Sequence, residues 1–464
     1  MSQKSRVPFR VVRFKNFFVR LLKNRMAFIG LVILLFFSFL ALAAPIVTPY
    51  APTGAAVSGQ YDPPSWITSL VGNSGYSQNA QFSGITVQPG KGAGLNILNQ
   101  TQDSVSFTIN FPQSTGGTVM VNKTLSYTYD GPPQSFAGEV SVTPAGLGPS
   151  GADATVSIQR GTSSFPLWEQ KVIAGSYQPA SVLKYPLNLG STSISPGLAV
   201  FDKKTNYTYT LQIVVPAGVS QATFSVSNFQ LFLYGSTWGL LGTDNGGNDI
   251  FTQLVYGSRV SLLVGLVATF IGIGVGLVVG LLAGYLGRVV DEVLMRFTDM
   301  MLVLPGLPLL IVLIALLGPS LWNIIGVLGF LGWMGFARVI RSQVLSLRER
   351  PFIEAAKASG GGTGYITVRH IFPNIVGLTY VNLALSVPAA IVGEAALSFL
   401  GLGPQTVISW GQMLELAHGS ATNSGLLWWW VIPPGLAIAI LSLSFILMGY
   451  ALDEMFNPRL RRRR

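Results

Sequence analysis

The sequence has no cysteine and only two histidines, His370 and His418, in 464 residues. Disulfides, thiolate metal sites and thiol chemistry are therefore excluded, and no histidine spacing offers a metal site. Neither histidine has a context that supports Ser-His-Asp chemistry, so no catalytic residue is assigned. The lack of cysteine does not fix a compartment, because an extracellular domain with a large enough core can do without disulfides. Charge is scarce too: 10% of residues are charged, against about 25% in an ordinary soluble domain. No Gly-x-x-x-x-Gly-Lys-Ser/Thr run occurs, which excludes P-loop binding of ATP by this chain.

Apolar residues are abundant, and the mean hydropathy is +0.50. The formal net charge of +11 does not describe a nucleic-acid face. The basic residues crowd at both ends and between apolar runs, as the positive-inside rule expects of a membrane protein. Residues 1–25 contain Lys4, Arg6, Arg10, Arg13, Lys15, Arg20, Lys23 and Arg25 and no acid. Phe14, Phe17, Phe18, Leu21 and Leu22 recur at helical spacing, which predicts a cytoplasmic basic amphipathic segment on the inner leaflet. The alternative is a basic tail that only orients the first span. Residues 26–48 are long enough to cross a bilayer and too long for the apolar core of a signal peptide.

Residues 51–239 change character. Strict alternation appears at Val105-Phe107-Ile109-Phe111, Leu125-Tyr127-Tyr129, Ala154-Val156-Ile158, Tyr207-Tyr209-Leu211-Ile213-Val215 and Phe224-Val226. Gly/Pro/Asp clusters such as Gly116-Gly117, Asp130-Gly131-Pro132-Pro133 and Pro216-Ala217-Gly218 separate these runs. The pattern predicts an inserted all-β sandwich. Residues 206–234 faintly resemble the closing strands of carbohydrate-binding jelly rolls. Asn99, Asn122 and Asn206 head candidate glycosylation triplets.

Residues 240–259 read as an interfacial segment, and 260–451 as a five-span core with spans near 260–286, 300–317, 321–341, 375–402 and 427–451. Basic loops alternate with loops lacking Lys and Arg. The expected fold is thus a polytopic α-helical membrane protein of about six spans carrying a large extracellular β-sandwich. Both termini, including a basic tail at 452–464, are placed in the cytoplasm and residues of about 50–254 outside. Gly272, Gly276, Gly280 and Gly284 recur every four residues, a flat stripe suited to close helix packing. Glu394 sits in an apolar run, where an ionisable group must face protein or water. Two readings stay open for it: a wall of the translocation path, or a structural pair.

The most informative stretch is 350–374. Phe352, Ala355, Ala356 and Ser359 fall on one helical face, and Glu354 lies near the helix start. Gly360, Gly361, Gly362 and Gly364 stop it. A second short helix should follow from about Tyr365 and be closed by Pro373 before the next span. This helix–turn–helix presents small side chains to the cytoplasm.

Glu354-Ala355-Ala356, then Gly360, a spacer and Phe372-Pro373 resemble the EAA loop of binding-protein-dependent ABC import permeases. Arg369-His370-Ile371-Phe372-Pro373-Asn374 resembles the dipeptide/oligopeptide branch of that family. So do Gly242-Thr243-Asp244, Tyr256-Gly257-Ser258-Arg259-Val260-Ser261-Leu262, Leu397-Ser398-Phe399-Leu400-Gly401-Leu402-Gly403 and Asn457-Pro458-Arg459-Leu460. The likeness covers about the first fifty residues and everything from about 240. The segment between has no counterpart in the family's usual form. Phe372 stands where leucine is usual, and Gly361-Gly362-Thr363-Gly364 is richer in glycine than the pattern.

The resemblance implies a type I ABC importer permease fold in the plasma membrane and a non-enzymatic subunit. It also implies a homologous second permease subunit, two cytoplasmic ATPase subunits that bind ATP and Mg, and an extracellular substrate-binding protein. Glu354, Ala355, Ala356, Ser359, Gly360, Arg369, His370, Phe372 and Pro373 would couple to an ATPase subunit. The cargo implied is di- or oligopeptide, with oligosaccharide as the alternative. Two rivals of other classes are a self-contained ion-coupled transporter and a membrane-anchored carbohydrate-binding or adhesion protein. The first would need more intramembrane acids and an internal repeat; the second would need only one span.

Overall fold

The computed structural model describes residues 22–71, 75–147, 151–173, 179–180, 196–404, 406–424 and 427–456. The basic segment up to residue 21, the Asn457-Pro458-Arg459-Leu460 motif and the basic tail from 457 lie outside the described residues. The chain forms two compact units, one of Met1–Ala55 with Ile250–Arg464, the other of Ala56–Asp249.

The first unit is helical: α1 (Arg25–Val47), α2 (Ile250–Leu286), α3 (Arg288–Val303), α4 (Gly306–Leu317), α5 (Leu321–Leu331), α6 (Met334–Arg348), α7 (Pro351–Ala358), α8 (Thr363–Ile366), α9 (Phe372–Leu397), α10 (Trp410–Ser424) and α11 (Trp428–Phe456). Among the described residues, five helical stretches are long and apolar enough to cross a membrane, or six if the bent pair α3–α4 counts as one. Asn24 caps α1 by accepting from the amides of Met26 and Ala27 at 2.9 and 3.4 Å, which satisfies two otherwise orphaned donors. Its Nδ2 donates to Glu454 on α11 at 2.8 Å.

Three expectations need correction. The 240–259 stretch is not a separate interfacial helix, because from Ile250 it is the start of the 37-residue α2. Nothing after Asp249 breaks it, and at 1.5 Å per residue α2 is about 55 Å long, more than a bilayer requires. The run at 300–317 is not one straight span. It bends by 89° between α3 and α4, where Pro305 withholds an amide. α3 carries Asp291, Glu292, Arg296 and Asp299, so its sequence suits an interface better than hydrocarbon. Finally, Pro373 does not close the second short helix. Instead α8 runs through a π-helical turn at Thr367–Ile371 directly into α9, the Phe372 amide bonding to the Thr367 carbonyl. The wider turn absorbs the missing Pro373 amide and the bulk of its ring.

The second unit is a β-sandwich of β1 (Ala80–Gln81), β2 (Ser83–Pro89), β3 (Gly94–Gln100), β4 (Val105–Asn110), β5 (Gly117–Ser126), β6 (Ser135–Ala145), β7 (Ala152–Arg160), β8 (Ser163–Val172), β9 (Pro179–Ala180), β10 (Asn206–Val215) and β11 (Gln221–Tyr234). One sheet runs β3-β4-β11-β6-β9 with β1 beside β11, and the other β2-β5-β10-β7-β8; the pairs are antiparallel. Period-two alternation aims Phe107, Ile109, Val121, Val156, Ile158, Tyr207, Leu211, Phe224 and Leu231 into one shared core. Strand β5 ends at Ser126, so Tyr127 and Tyr129 lie beyond it. The Tyr127 amide still bonds to the Thr205 carbonyl at 3.0 Å, and its hydroxyl donates to the Gly131 carbonyl at 2.5 Å, closing the turn that Asp130-Gly131-Pro132-Pro133 makes.

Entry and exit of this unit are stitched together. The Val57 amide donates to Gly247, Tyr61 to Asp244, Ser65 to Gly239 and Trp238 to Pro63, and the Thr243 amide returns to Asp62. Within Gly242-Thr243-Asp244, the Thr243 hydroxyl donates to the Gly59 carbonyl at 2.6 Å. Asp244 Oδ1 accepts from the amides of Gly246 and Asn248.

Candidate functional site

α7 is short and built to present one face. Pro351 stands in its first turn, where a missing amide costs nothing. Glu354 in the same turn complements the positive end of the helix. Ile353 is fully buried and joins Ile340, Val344, Ile366, Ile371 and Ile375 in one apolar cluster. That anchor ties α7 to α6, α8 and α9. Phe352, at 44% exposure, Glu354, Ala355 and Ser359 face outward. Ala356 differs from the expected pattern: it is half-buried and packs against the isoleucine cluster.

Gly360 adopts φ +82, the left-handed region that L side chains rarely adopt. Its amide bonds to Lys357 and that of Gly361 to Ala356, the Schellman pattern for ending a helix. A Cβ on Gly361 would lie 2.7 Å from the Ala356 carbonyl. Two of the extra glycines, Gly362 and Gly364, meet nothing within 4 Å. Arg369, Phe372 and Pro373 are exposed, and His370 is half-buried. The His370 and Tyr365 rings meet edge-on at 5.6 Å, and Asn374 Nδ2 donates to the His370 carbonyl at 2.6 Å. Of the sequence-predicted coupling residues, Glu354, Ala355, Ser359, Gly360, Arg369, Phe372 and Pro373 are exposed, and Ala356 and His370 are half-buried.

The motion of such an element depends on what it is packed against. The glycine stripe of α2 lies against α5 and α6. A Cβ on Gly276 would sit 2.6 Å from the Trp333 carbonyl, one on Gly280 2.6 Å from the Ala337 carbonyl, and one on Gly284 2.7 Å from Val344 Cβ. Gly272 faces the backbone of Gly329 and Gly332. α3 is tied to α6 by Asp299 with Arg338 and by Asp291 with Arg341. Lys357 of α7 sits over the Tyr285 ring of α2 at 5.8 Å.

Glu394 is fully buried in α9. Ser398 donates to its Oε1 at 2.7 Å, and Oε2 makes no hydrogen bond among the described residues. No described cation pairs with it. Asn99 and Asn206 are exposed, on β3 and at the start of β10. Asn122 is half-buried in mid-strand between β2 and β10, with its carboxamide oxygen enclosed, a poor place for a bulky glycan.

One structural pairing between helices escaped sequence reasoning. Pro45 lies inside α1 and cannot donate to the Ala41 carbonyl four residues earlier. Arg259 of α2 takes that carbonyl with Nε and reaches the Leu42 carbonyl with Nη2 at 3.4 Å. Its guanidinium stacks over Tyr256 at 4.9 Å. The signal was present: a proline late in one span and a lone arginine early in another.

Residues 276–462 match the family model for the binding-protein-dependent transport system inner membrane component. Residues 13–64 match that for the N-terminal transmembrane domain of oligopeptide transport permease C. The dipeptide transport system permease protein DppC of Alkalihalophilus pseudofirmus is 40% identical over 221 residues, 47% of this chain and 72% of that protein. A putative peptide permease protein of Brucella suis is 38% identical over 220 residues, again 47% and 72%. Among solved structures, an inward-facing MetNI methionine ABC transporter aligns at 20% identity and TM-score 0.35, over 45% of this chain and 97% of that one. The first family model thus takes in the last part of α2 and every later helix, α7 included, and the second takes in α1. The chain belongs to the family of binding-protein-dependent transport system inner membrane components and is a multi-pass permease subunit of that family.

Proposed function

We propose that this permease conducts di- and oligopeptides into the cell, driven by ATP hydrolysis on separate subunits. The dipeptide and peptide permeases named among its relatives support the cargo. The observation that carries the mechanism is α7, which Ile353 fixes to three neighbouring helices while Phe352, Ala355 and Ser359 face outward. Small exposed side chains let a partner approach the backbone closely. A cytoplasmic ATPase subunit grips α7, and closure of the ATPase pair on ATP and Mg displaces it as a rigid body. The isoleucine cluster and glycine stripe pass the displacement to α2, α6 and α9. A second permease subunit completes the path, and an extracellular binding protein delivers cargo to it. The β-sandwich lies outside the cell and serves that delivery, while both termini and α7 lie inside.

Co-purification with the ATPase subunits tests the coupling. Ala355→Trp should leave membrane insertion intact but release the ATPase subunits and abolish peptide uptake. Retained attachment and uptake would rule out α7 as the docking element. Orientation is checked on the same preparation, since the chain has no cysteine of its own. A cysteine at exposed Ser135 should react with an impermeant thiol reagent on intact cells, and one at exposed Ser359 only after lysis.

A further inference from the structure

A cavity of about 260 Å³ opens within the helical unit, lined among others by Ala268, Thr269, Gly272, Gly306, Gly332 and Ser386. Two helix breaks reach it. Gly306 is the first residue of α4, just past the 89° bend, and Gly332 ends α5. A broken helix leaves backbone donors and acceptors without intrahelical partners. At α4 the capping position is held by Pro305, and no side chain caps it. The positive end of a 12-residue helix therefore starts at the cavity wall.

Thr269 supplies a second, independent sign. It is 5% exposed, its Oγ1 makes no hydrogen bond among the described residues, and it lines the same cavity. A threonine in a helix ordinarily bonds back to its own turn, and a buried hydroxyl left unpaired is destabilising. No charged side chain lines the cavity. Donors and a positive helix end, with no carboxylate to receive an ammonium group, select for an anionic acceptor. Broken helices of this kind hold anionic groups of substrates near mid-membrane in other transporters.

We infer that this cavity receives the C-terminal carboxylate of a peptide in transit, with Thr269 Oγ1 and the amide end of α4 as its donors. The inference rests on the peptide reading above. The small walls at Ala268, Gly272 and Ala390 give room for short side chains without reading them, so recognition is of the peptide terminus.

The test uses the permease assembled with its partner subunits in proteoliposomes, importing alanyl-alanine and alanyl-alanine amide. Wild type should favour the free acid. Thr269→Val, which keeps the volume, should lower import of the acid about tenfold, the cost of one lost hydrogen bond to a charged group, and shrink the acid-over-amide ratio. Because the same binding protein serves both variants, its own preference cancels from the comparison. Thr269→Ser should restore the ratio, and this rescue separates lost recognition from lost folding. An unchanged ratio in Thr269→Val overturns the carboxylate site while peptide transport stands. Wild type importing neither compound overturns the peptide reading and this inference with it.

Discussion

A proline inside a membrane span removes one amide, and the carbonyl four residues earlier must find another donor because lipid offers none. Arg259 is that donor for Ala41. A cycle of four proteins isolates the pairing. Arg259→Gln alone should cost about 1–3 kcal/mol, the penalty of a buried acceptor left unpaired. In a Pro45→Ala background the restored amide retakes the carbonyl, so the same change should cost much less. Thermal inactivation in detergent reads the four midpoints; equal costs in both backgrounds would refute the link. Asp62, in the β unit, makes a different kind of statement. It is 2% exposed, and burial pushes its carboxyl from 3.8 to about 6, with the Ser58 hydroxyl and Gly59 amide offsetting part of that rise. A raised acid binds its proton more tightly when folded, so the folded unit holds more protons than the unfolded chain between pH 4 and 6. Stability must then fall as pH rises through that window, by roughly 3 kcal/mol for a shift of about two units. Asp62→Asn should flatten this part of the profile, measured as the difference between variant and wild-type unfolding midpoints at pH 4.5 and pH 7.

At the scale of elements, the glycine stripe of α2 sets how closely α6 can approach. Gly280→Leu would drive a side chain into the Ala337 carbonyl and Ile340, an overpacking of about 1–3 kcal/mol or more. Gly274, on the same helix, meets nothing within 4 Å, so Gly274→Ala should be neutral or slightly stabilising. Comparable loss of assembled protein in both variants would mean that the stripe is not a packing surface. This stripe was legible because a four-residue repeat maps directly onto one helix face. The coupling helix was legible from its small residues and the glycine that ends it. The inward turn of Ala356 was not, since it depends on where Ile366 and Ile371 sit. The bend before α4 was half-legible: Pro305 announces a break, but the ion pairs that tie α3 to α6 through Asp291 and Asp299 join residues 39 to 50 positions apart and leave no local pattern. In the sandwich, β4, β7, β10 and β11 could be read because both sheets bury their alternate residues. Strand β3 is exposed along nearly its whole length, and a strand without a buried face carries no alternation to read. Arg259 and Pro45 lie more than 200 residues apart in sequence, and no local pattern joins them.

At the scale of the molecule, the β unit interrupts a permease between its first and second long helices, and its boundaries are set by hydrogen bonds. The change in sequence character places it at 51–239. The structure bounds it at Ala56–Asp249. Residues 57–65 exchange backbone bonds with 238–247, among them Thr243 to Asp62 at 2.8 Å, Val57 to Gly247 at 2.9 Å and Trp238 to Pro63 at 2.9 Å. Thr243 also accepts from the Asp62 amide at 2.9 Å. This clasp brings the two ends of the unit together, which is the geometry an inserted domain needs if its host is to stay continuous. Loop-closure entropy grows slowly with length, so an insertion closed in this way costs the host little. A protein of residues 56–249 should therefore fold alone into a β-rich, monomeric domain, shown by circular dichroism and a single cooperative melt. A protein of residues 62–234 keeps every strand but loses the clasp and buries the Asp62 site incompletely. It should melt at least several degrees lower, since each net backbone hydrogen bond is worth about 1 kcal/mol and a loss of that size moves a midpoint by a few degrees. Equal midpoints for the two proteins would show that the strands suffice and that the clasp only guides the chain back to α2.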